Sequence, residues 1–126
     1  MKYLIDSSAW IEYLEGSEKG EKINKILKED NEILTLPINI GEVISYISRK
    51  RGDSNLAYSL IIKNSKQINI TPRISKEAGL LHAKIKDDNP SFSLADAFMI
   101  ISAKSSSAIL LTKDNHFKSF KEAIII

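Results

Sequence analysis

The sequence contains five short apolar segments rich in isoleucine and leucine, separated by longer segments with helical spacing. The short segments are predicted strands at Tyr3–Ile5, Ile33–Leu36, Ile68–Ile70, Ile109–Thr112 and Ala123–Ile126. Because their apolar residues are nearly continuous rather than alternating, we expect the strands to be covered on both faces. Strands that alternate with helices form parallel sheets with right-handed crossovers. The pattern predicts a three-layer α/β domain, with a mostly parallel central sheet flanked by helices.

Residues that favour helix ends mark several of the intervening helices. Pro37 suits the first turn of one helix, and Gly52 is expected to end it. Asp53 or Ser54 is expected to cap the next helix, and Ser75 the one after that. Each of these helices carries an apolar stripe that can cover one face of the sheet.

The composition is that of a soluble globular protein. A chain of 126 residues with 43% apolar and 27% charged residues predicts a single domain spanning 1–126 with an ordinary core. The absence of cysteine excludes disulfides and thiolate metal sites. We find no signal peptide and no apolar run long enough to cross a membrane, so we expect a cytoplasmic protein. The net charge of +2 permits contact with phosphates without requiring it.

Two aspartates follow predicted strands, at the edge of the sheet where functional groups of α/β proteins collect. Asp6 follows the first strand and Asp114 follows the fourth. Each also has a structural interpretation, as the N-cap of the next helix or, for Asp114, as part of an Asx-type turn. Taken singly, both residues fit either role.

Two further acids are candidates on helices. Asp96 shares a helix face with Met99 and Ile100 in an almost wholly apolar segment, and a buried carboxylate requires a partner or a cation. It also forms an S-x-x-D capping-box pattern with Ser93. Glu42 lies roughly opposite the apolar stripe of its helix, so periodicity alone predicts that it is solvated.

Four segments, in this order, resemble the PIN-domain nucleases and most closely the VapC-type toxins. They are "YLIDSSAWIEYLEG", "LPINIGEVISYISRK", "FSLADAFMIISA" and "AILLTKDNHF". The ordered set covers nearly the whole chain and is far more specific than any one motif. The acidic positions of the family map onto Asp6, Glu42, Asp96 and Asp114, and its hydroxyl positions map onto Ser7 and Thr112.

The resemblance implies a PIN-like domain that acts as a metal-dependent endoribonuclease. It implies four catalytic acids, of which Asp6, Asp96 and Asp114 bind Mg²⁺ or Mn²⁺, supported by the hydroxyl groups of Ser7 and Thr112. It also implies a homodimer, inhibited by a small antitoxin protein encoded beside it, with RNA as the substrate. Such chemistry suits a hard cation, which prefers oxygen ligands and activates water for attack on a phosphodiester.

One position departs from the family pattern. Many members carry another acid two residues after the last aspartate, whereas this chain has His116. We therefore expect one firmly bound ion rather than two. A lone histidine in a loop is more often a surface residue than a functional one, and we interpret His116 and His82 in that way.

Three other functions remain as alternatives. A PIN-domain nuclease can serve in RNA processing, and a degenerate PIN module can bind RNA or a partner without cleaving. A receiver-like phospho-switch is a remote alternative, because Thr112 and Lys113 superficially suit it. Such a switch normally has an acid pair after its first strand, and here serines follow Asp6.

Two surface features are expected to contact partners. Basic residues available to guide an RNA backbone are Arg49, Lys50, Lys113 and Lys118. The exposed sides of "INIGEVISYISRK" and "NLAYSLIIKN" are rich in isoleucine, leucine and tyrosine. Ordinary core and a self-association face both explain this apolar surface.

Overall fold

The structure, a computed structural model describing residues 1–126, has six α-helices, one 3-10 helix and five strands. In chain order they are β1 (Lys2–Ile5), α1 (Ser7–Glu15), α2 (Glu18–Lys28), β2 (Glu32–Thr35), α3 (Pro37–Arg49), α4 (Ser54–Asn64), β3 (Lys66–Gln67), α5 (Pro72–Ile85), α6 (Leu94–Ser105), β4 (Ile109–Thr112), the 3-10 helix (Asn115–Phe117) and β5 (Ala123–Ile125). None of the helices is both long enough and apolar enough to cross a membrane.

The five strands form one sheet in the order β3-β2-β1-β4-β5, and every neighbouring pair is parallel. The chain builds outward from β1 to β3 on one side and then returns to add β4 and β5 on the other side. The order therefore reverses between β1 and β4, and loops at such a switch point diverge to leave a crevice at the carboxyl ends of the strands. Asp6 follows β1 and Asp114 follows β4, so both lie at this crevice.

Neighbouring residues of the strands are buried in two separate cores, one on each face of the sheet. Leu4 and Leu110 pack in the core that contains α5 and α6, whereas Ile5 and Leu111 pack in the core that contains α1 to α4. A strand covered on both faces buries successive side chains in opposite directions, which explains the nearly continuous apolar pattern. The predicted three-layer α/β fold is confirmed.

The helix ends agree with the sequence signals in some places and differ in others. Pro37 begins α3, and the Asp53 side chain caps α4 by accepting from Leu56 N at 2.9 Å. The expectation that Gly52 ends α3 is wrong by three residues, since α3 ends at Arg49. The chain first turns through a left-handed conformation at Arg51, with φ of 58°, and Gly52 N then donates to the Ile47 carbonyl.

The predicted cap of α5 is also wrong. Thr71 caps this helix, accepting from Ile74 N at 3.2 Å, and Pro72 occupies the first helical position. Ser75 lies inside the first turn, where its hydroxyl donates to the Thr71 carbonyl. The Thr-Pro pair was the stronger start signal, because proline has no N–H to leave unpaired at a helix start.

The third strand differs from its prediction because an apolar pattern reports burial rather than pairing. β3 comprises Lys66–Gln67, which pair with β2, and both residues are exposed. Ile68 and Ile70, which were predicted to form the strand, follow it and pack against the core beside α5 and α6. The hydrogen bonds between β3 and β2 depend on the register of the two strands, which cannot be inferred from the sequence of β3 alone.

Gly20 is the contact point between α1 and α2. A Cβ at this position would overlap the backbone of Glu12 and Tyr13. Ser17 reinforces the contact, since its Oγ accepts from Gly20 N at 3.0 Å and donates to the Glu12 carbonyl at 3.1 Å. Only glycine allows the two helix backbones to approach this closely.

Candidate metal centre

Asp6 both caps a helix and supplies a buried carboxylate. It is the N-cap of α1, and its Oδ1 accepts from Ser7 N at 2.9 Å. Its Oδ2 accepts from Thr112 Oγ1 at 2.8 Å and from Ser8 Oγ at 3.2 Å. Only 5% of the residue is exposed. The two interpretations of Asp6 are therefore compatible, because different oxygens serve the helix cap and the contact with β4.

The environment of Asp6 disfavours its ionised form. Burial raises its pKa from 3.8 to about 6, against the hydrogen bond from Thr112, which lowers it. The nearby charges of Asp114 and Glu42 raise the pKa further, and the backbone hydrogen bond from Ser7 lowers it. A carboxylate that is desolvated and faces two like charges is the kind of group that a bound cation stabilises.

Thr112 joins the first and last acids of the site. Its fully buried hydroxyl donates to Asp6 and accepts from Asp114 N at 3.0 Å. Ser8 strengthens this junction, because its Oγ lies 3.2 Å from Thr112 Oγ1 and accepts from Lys113 N at 3.0 Å. The hydroxyl of Ser7, the predicted supporting residue, lies 3.5 Å from Asp6 Oδ1. Ser8 was missed by sequence reasoning, although it makes the closer side-chain contacts.

Asn39 connects Asp6 to Glu42. Its side-chain Nδ2 donates to Asp6 Oδ1 at 3.4 Å and to Glu42 Oε1 at 3.2 Å. Glu42 is exposed, as periodicity predicted, yet it lies near enough to affect the pKa of Asp6. Sequence reasoning missed Asn39 too. Its signal was a polar residue one turn before Val43, on a helix face that is buried.

Asp96 belongs to a capping box and also contacts the loop after β4. Its Oδ2 accepts from Ser93 N at 2.8 Å, while Ser93 Oγ accepts from Asp96 N at 3.0 Å. The same Oδ2 lies 3.4 Å from Nδ1 of His116, within ion-pair distance. The two are not aligned as a hydrogen bond, and Nδ1 is buried without a partner. His116 thus has a buried nitrogen beside Asp96, although its side chain is 42% exposed.

The four predicted acids are therefore linked unequally. Asp6, Glu42 and Asp114 are joined through Asn39 and Thr112, as described above. Asp96 instead contacts His116, which lies in the 3-10 helix that follows Asp114. No three acidic or histidine side chains converge closely enough to form a metal-binding group in this structure.

The donor groups suit a hydrated divalent cation. Carboxylate, hydroxyl and amide oxygens are the donors that Mg²⁺ and Mn²⁺ prefer, and no cysteine competes for a softer metal. Mg²⁺ commonly binds one or two carboxylates directly and keeps several waters, so a tight protein cage is not required. The buried, destabilised carboxylate of Asp6 is the observation that makes the residues present fit such an ion.

One of the four candidate basic residues shares a cavity with one of the acids. Arg49 and Glu42 both line a surface cavity of about 480 Å³ along α3. Lys113 forms an ion pair with Glu12 at 3.6 Å, and Lys50 lies over the ring of Tyr46, 5.3 Å from its centre. Arg49 is therefore the candidate that is best placed to contact a phosphate near the site.

The fold and the site together define an α/β protein with acidic residues after β1 and β4, at the switch point of a parallel sheet. Comparison with family models matches residues 3–123 to the PIN domain. The chain belongs to the PIN-domain family, which confirms the resemblance inferred from its motifs. A search of curated proteins found no match.

Several solved structures share this fold at low sequence identity. A toxin–antitoxin complex from Klebsiella pneumoniae is 18% identical and aligns over 97% of this chain and 95% of that chain, with a TM-score of 0.76. VapBC2 from Rickettsia felis, bound to a promoter DNA fragment, is 15% identical over 100% and 98% of the two chains, with a TM-score of 0.76. VapC20 from Mycobacterium tuberculosis, described as a sarcin–ricin loop cleaving toxin, is 14% identical over 94% and 95%, with a TM-score of 0.72.

Proposed function

We propose that this protein is a metal-dependent endoribonuclease of the VapC type, the toxin of a toxin–antitoxin pair. The observation that carries the proposal is the buried carboxylate of Asp6, which follows β1 at the switch point of the sheet and lies near enough to Glu42 and Asp114 for their charges to act on it. Membership of the PIN-domain family and the shared fold of VapBC structures support it. The RNA-cleaving description of VapC20 supports RNA as the substrate.

Asp6, Asp96 and Asp114 are the proposed ligands of Mg²⁺ or Mn²⁺. When bound, such an ion orients a phosphodiester, lowers the pKa of an attacking water and offsets the charge of the transition state. The chain supplies the orientation of the ligands. Thr112 and Ser8 restrict the Asp6 carboxylate by hydrogen bonds to Oδ2, and Ser93 restricts Asp96 through the capping box.

Glu42 is the proposed catalytic acid that lies nearest to solvent. Its Oε1 accepts from Asn39, whereas Oε2 accepts no hydrogen bond and is available to take a proton from water. Arg49, in the same cavity, is the proposed contact for the RNA backbone. A guanidinium binds phosphate oxygens through two parallel hydrogen bonds, so it can position the backbone without reading the bases.

We also propose a small antitoxin as a partner, and self-association into a homodimer. Large apolar side chains are exposed on α3 and α4, including Ile38, Leu56 and Tyr58. Leu56 also lines an apolar groove of about 200 Å³ with Leu14 and Leu60. Such surfaces are typical of protein contacts. Light scattering during size-exclusion chromatography tests the dimer, and a strict monomer would contradict it.

The decisive experiment replaces Asp96 with asparagine. Asn can still accept from Ser93 N, so the capping box and the fold should survive, while loss of the charge removes a proposed metal ligand. We expect RNA cleavage to fall by at least about 100-fold, as loss of a ligand should cost no less than loss of an outer-shell group. Cleavage is measured on single-stranded RNA with Mn²⁺ and with EDTA.

Asp88→Asn is the matched control, because Asp88 is exposed. It should cleave as the wild type does. Wild-type cleavage by a folded Asp96→Asn protein would contradict the site assignment. Metal and RNA binding without cleavage by the wild type would instead support a binding-only PIN module.

A further inference from the structure

Asn39 occupies an unusual place for a polar side chain. It lies in the first turn of α3, and only 1% of the residue is exposed. Buried polar side chains normally have all their groups paired, because an unmade hydrogen bond leaves an uncompensated loss of hydration. The Oδ1 atom of Asn39 is nevertheless buried without any donor. A side chain selected only for packing at this position would be apolar.

The amide of Asn39 spans two acids from different elements. Its Nδ2 donates both to Asp6, which follows β1, and to Glu42, one turn further along α3. Its amide is neutral, so it contributes donors to both carboxylates without adding charge between them. The two contacts, at 3.4 and 3.2 Å, are long for hydrogen bonds to ionised groups, which are typically about 2.7–2.9 Å.

Glu42 depends on this contact for its orientation. It is exposed, and an exposed glutamate has several accessible rotamers, most of which point away from the site. Periodicity directs its Cβ away from the apolar stripe of α3, so the helix alone does not aim it at Asp6. Asn39 makes the only hydrogen bond to the Glu42 side chain.

We propose that Asn39 is a positioning residue that holds Asp6 and Glu42 at a set separation, so that a divalent cation bound by Asp6 has Glu42 already placed to contact one of its waters. This inference rests on the proposed metal-dependent function and assigns Asn39 no contact with the RNA. Groups that orient ligands in this way change metal affinity when they are removed, even though they do not touch the metal.

The test uses Asn39→Ala and the nearly isosteric Asn39→Leu. Asn69→Ala is the matched control, since Asn69 is exposed. Mn²⁺ binding is measured by calorimetry without RNA, and folding by denaturation in EDTA. We expect both Asn39 variants to bind Mn²⁺ at least about tenfold more weakly while their denaturation midpoints stay close to that of the wild type. With RNA, kcat should fall while KM for the RNA stays unchanged.

A purely structural role gives a different result. It lowers the denaturation midpoint and leaves the Mn²⁺ affinity of the folded protein unchanged, and that outcome would overturn the proposal. The double variant Asn39→Ala/Glu42→Ala adds a second criterion. If Asn39 acts through Glu42, the two losses of Mn²⁺ affinity should be less than additive, and full additivity would also contradict the inference.

Failure of the proposed function is distinguishable from failure of this inference. A wild-type protein that neither binds Mn²⁺ nor cleaves RNA refutes the proposed function alone. The positioning role is then decided in the metal-free protein by ¹³C relaxation of the Glu42 side chain. Greater mobility of Glu42 in Asn39→Ala than in the wild type supports the role, and equal mobility overturns it.

Discussion

At the residue scale, Asp6 shows how a group suited to a metal site can oppose the stability of the fold. Its hydrogen bonds from Ser7, Ser8 and Thr112 compensate part of its burial, yet its pKa remains raised to about 6. The metal-free protein at neutral pH therefore contains an ionised carboxylate in a place that disfavours the charge. The same group is solvated in the unfolded chain, so its ionisation stabilises the unfolded chain relative to the native state.

We therefore predict that Asp6→Asn stabilises the metal-free protein at pH 7. Because the folded pKa of about 6 lies above 3.8, the native state binds the proton more tightly than the unfolded state does. Proton binding to Asp6 stabilises the native state in full below about pH 4, and this stabilisation is lost as the pH rises through about 6. We expect the variant to be more stable by about 1–3 kcal/mol at pH 7 in EDTA.

The measurement is the free energy of unfolding in urea from pH 3.5 to 8. The difference between Asp6→Asn and the wild type should grow between about pH 4 and 6 and then remain constant. Asp30→Asn is the control, since Asp30 is exposed and its substitution should leave the profile unchanged. A constant difference across the whole range would contradict the raised pKa.

At the scale of the elements, the sequence predicted helices and strands where local signals agree with tertiary pairing. Pro37 and Asp53 marked helix starts because their effects are local, and β4 has its predicted bounds of Ile109–Thr112. The prediction of β3 failed because its partner strand sets its position. The same distinction applies to the site.

Asp6 and Asp114 could be identified as candidates because each follows a predicted strand. Glu42 required the resemblance to PIN domains, since helix periodicity placed it in solvent. Ser8 and Asn39 were not predicted, because their roles consist of contacts between residues far apart along the chain. The hydrogen bonds between Ser8 and Thr112 and between Asn39 and Asp6 leave no repeating pattern in a single sequence.

The close contact between α1 and α2 gives a prediction at this scale. Gly20→Ala places a methyl group against the backbone of Glu12, which cannot move without shifting α1. We expect a loss of about 3 kcal/mol in the free energy of unfolding, the upper end of the usual cost of overpacking. The measurement is chemical denaturation in EDTA.

Gly79→Ala is the matched substitution, because Gly79 is exposed in the middle of α5 with open space around its Cα. Alanine is the better helix former there, so this variant should be more stable by about 0.5–1 kcal/mol. Equal changes in the free energy of unfolding for the two substitutions would show that the backbones of α1 and α2 do not make this close contact at Gly20.

At the scale of the whole molecule, the site joins the two cores. Asp6 and Glu42 belong to elements that pack on the α1–α4 side of the sheet, whereas Asp96 lies in the first turn of α6 on the other side. A ligand that binds across the crevice stabilises the native state as a whole, since the unfolded chain does not hold these residues together.

Metal should therefore raise the melting temperature of the wild type. At a Mn²⁺ concentration of about 100 times its Kd, the gain is about 2.7 kcal/mol, and EDTA should reverse it. The same Mn²⁺ concentration should stabilise Asp6→Asn far less, because this variant lacks the Asp6 carboxylate. Equal shifts in both proteins, measured by calorimetry, would indicate binding elsewhere on the surface.

The position of the acids along the chain has a consequence for how the protein is made. Asp6 is made before β4, but Thr112 and Asp114 become available only after β4 has emerged from the ribosome and inserted beside β1. A truncated chain that ends before β4 has no complete crevice, however well its first half folds. On the proposed function, a nascent chain without β4 cannot cleave the RNA of the ribosome that makes it, and activity begins only once β4 has inserted beside β1.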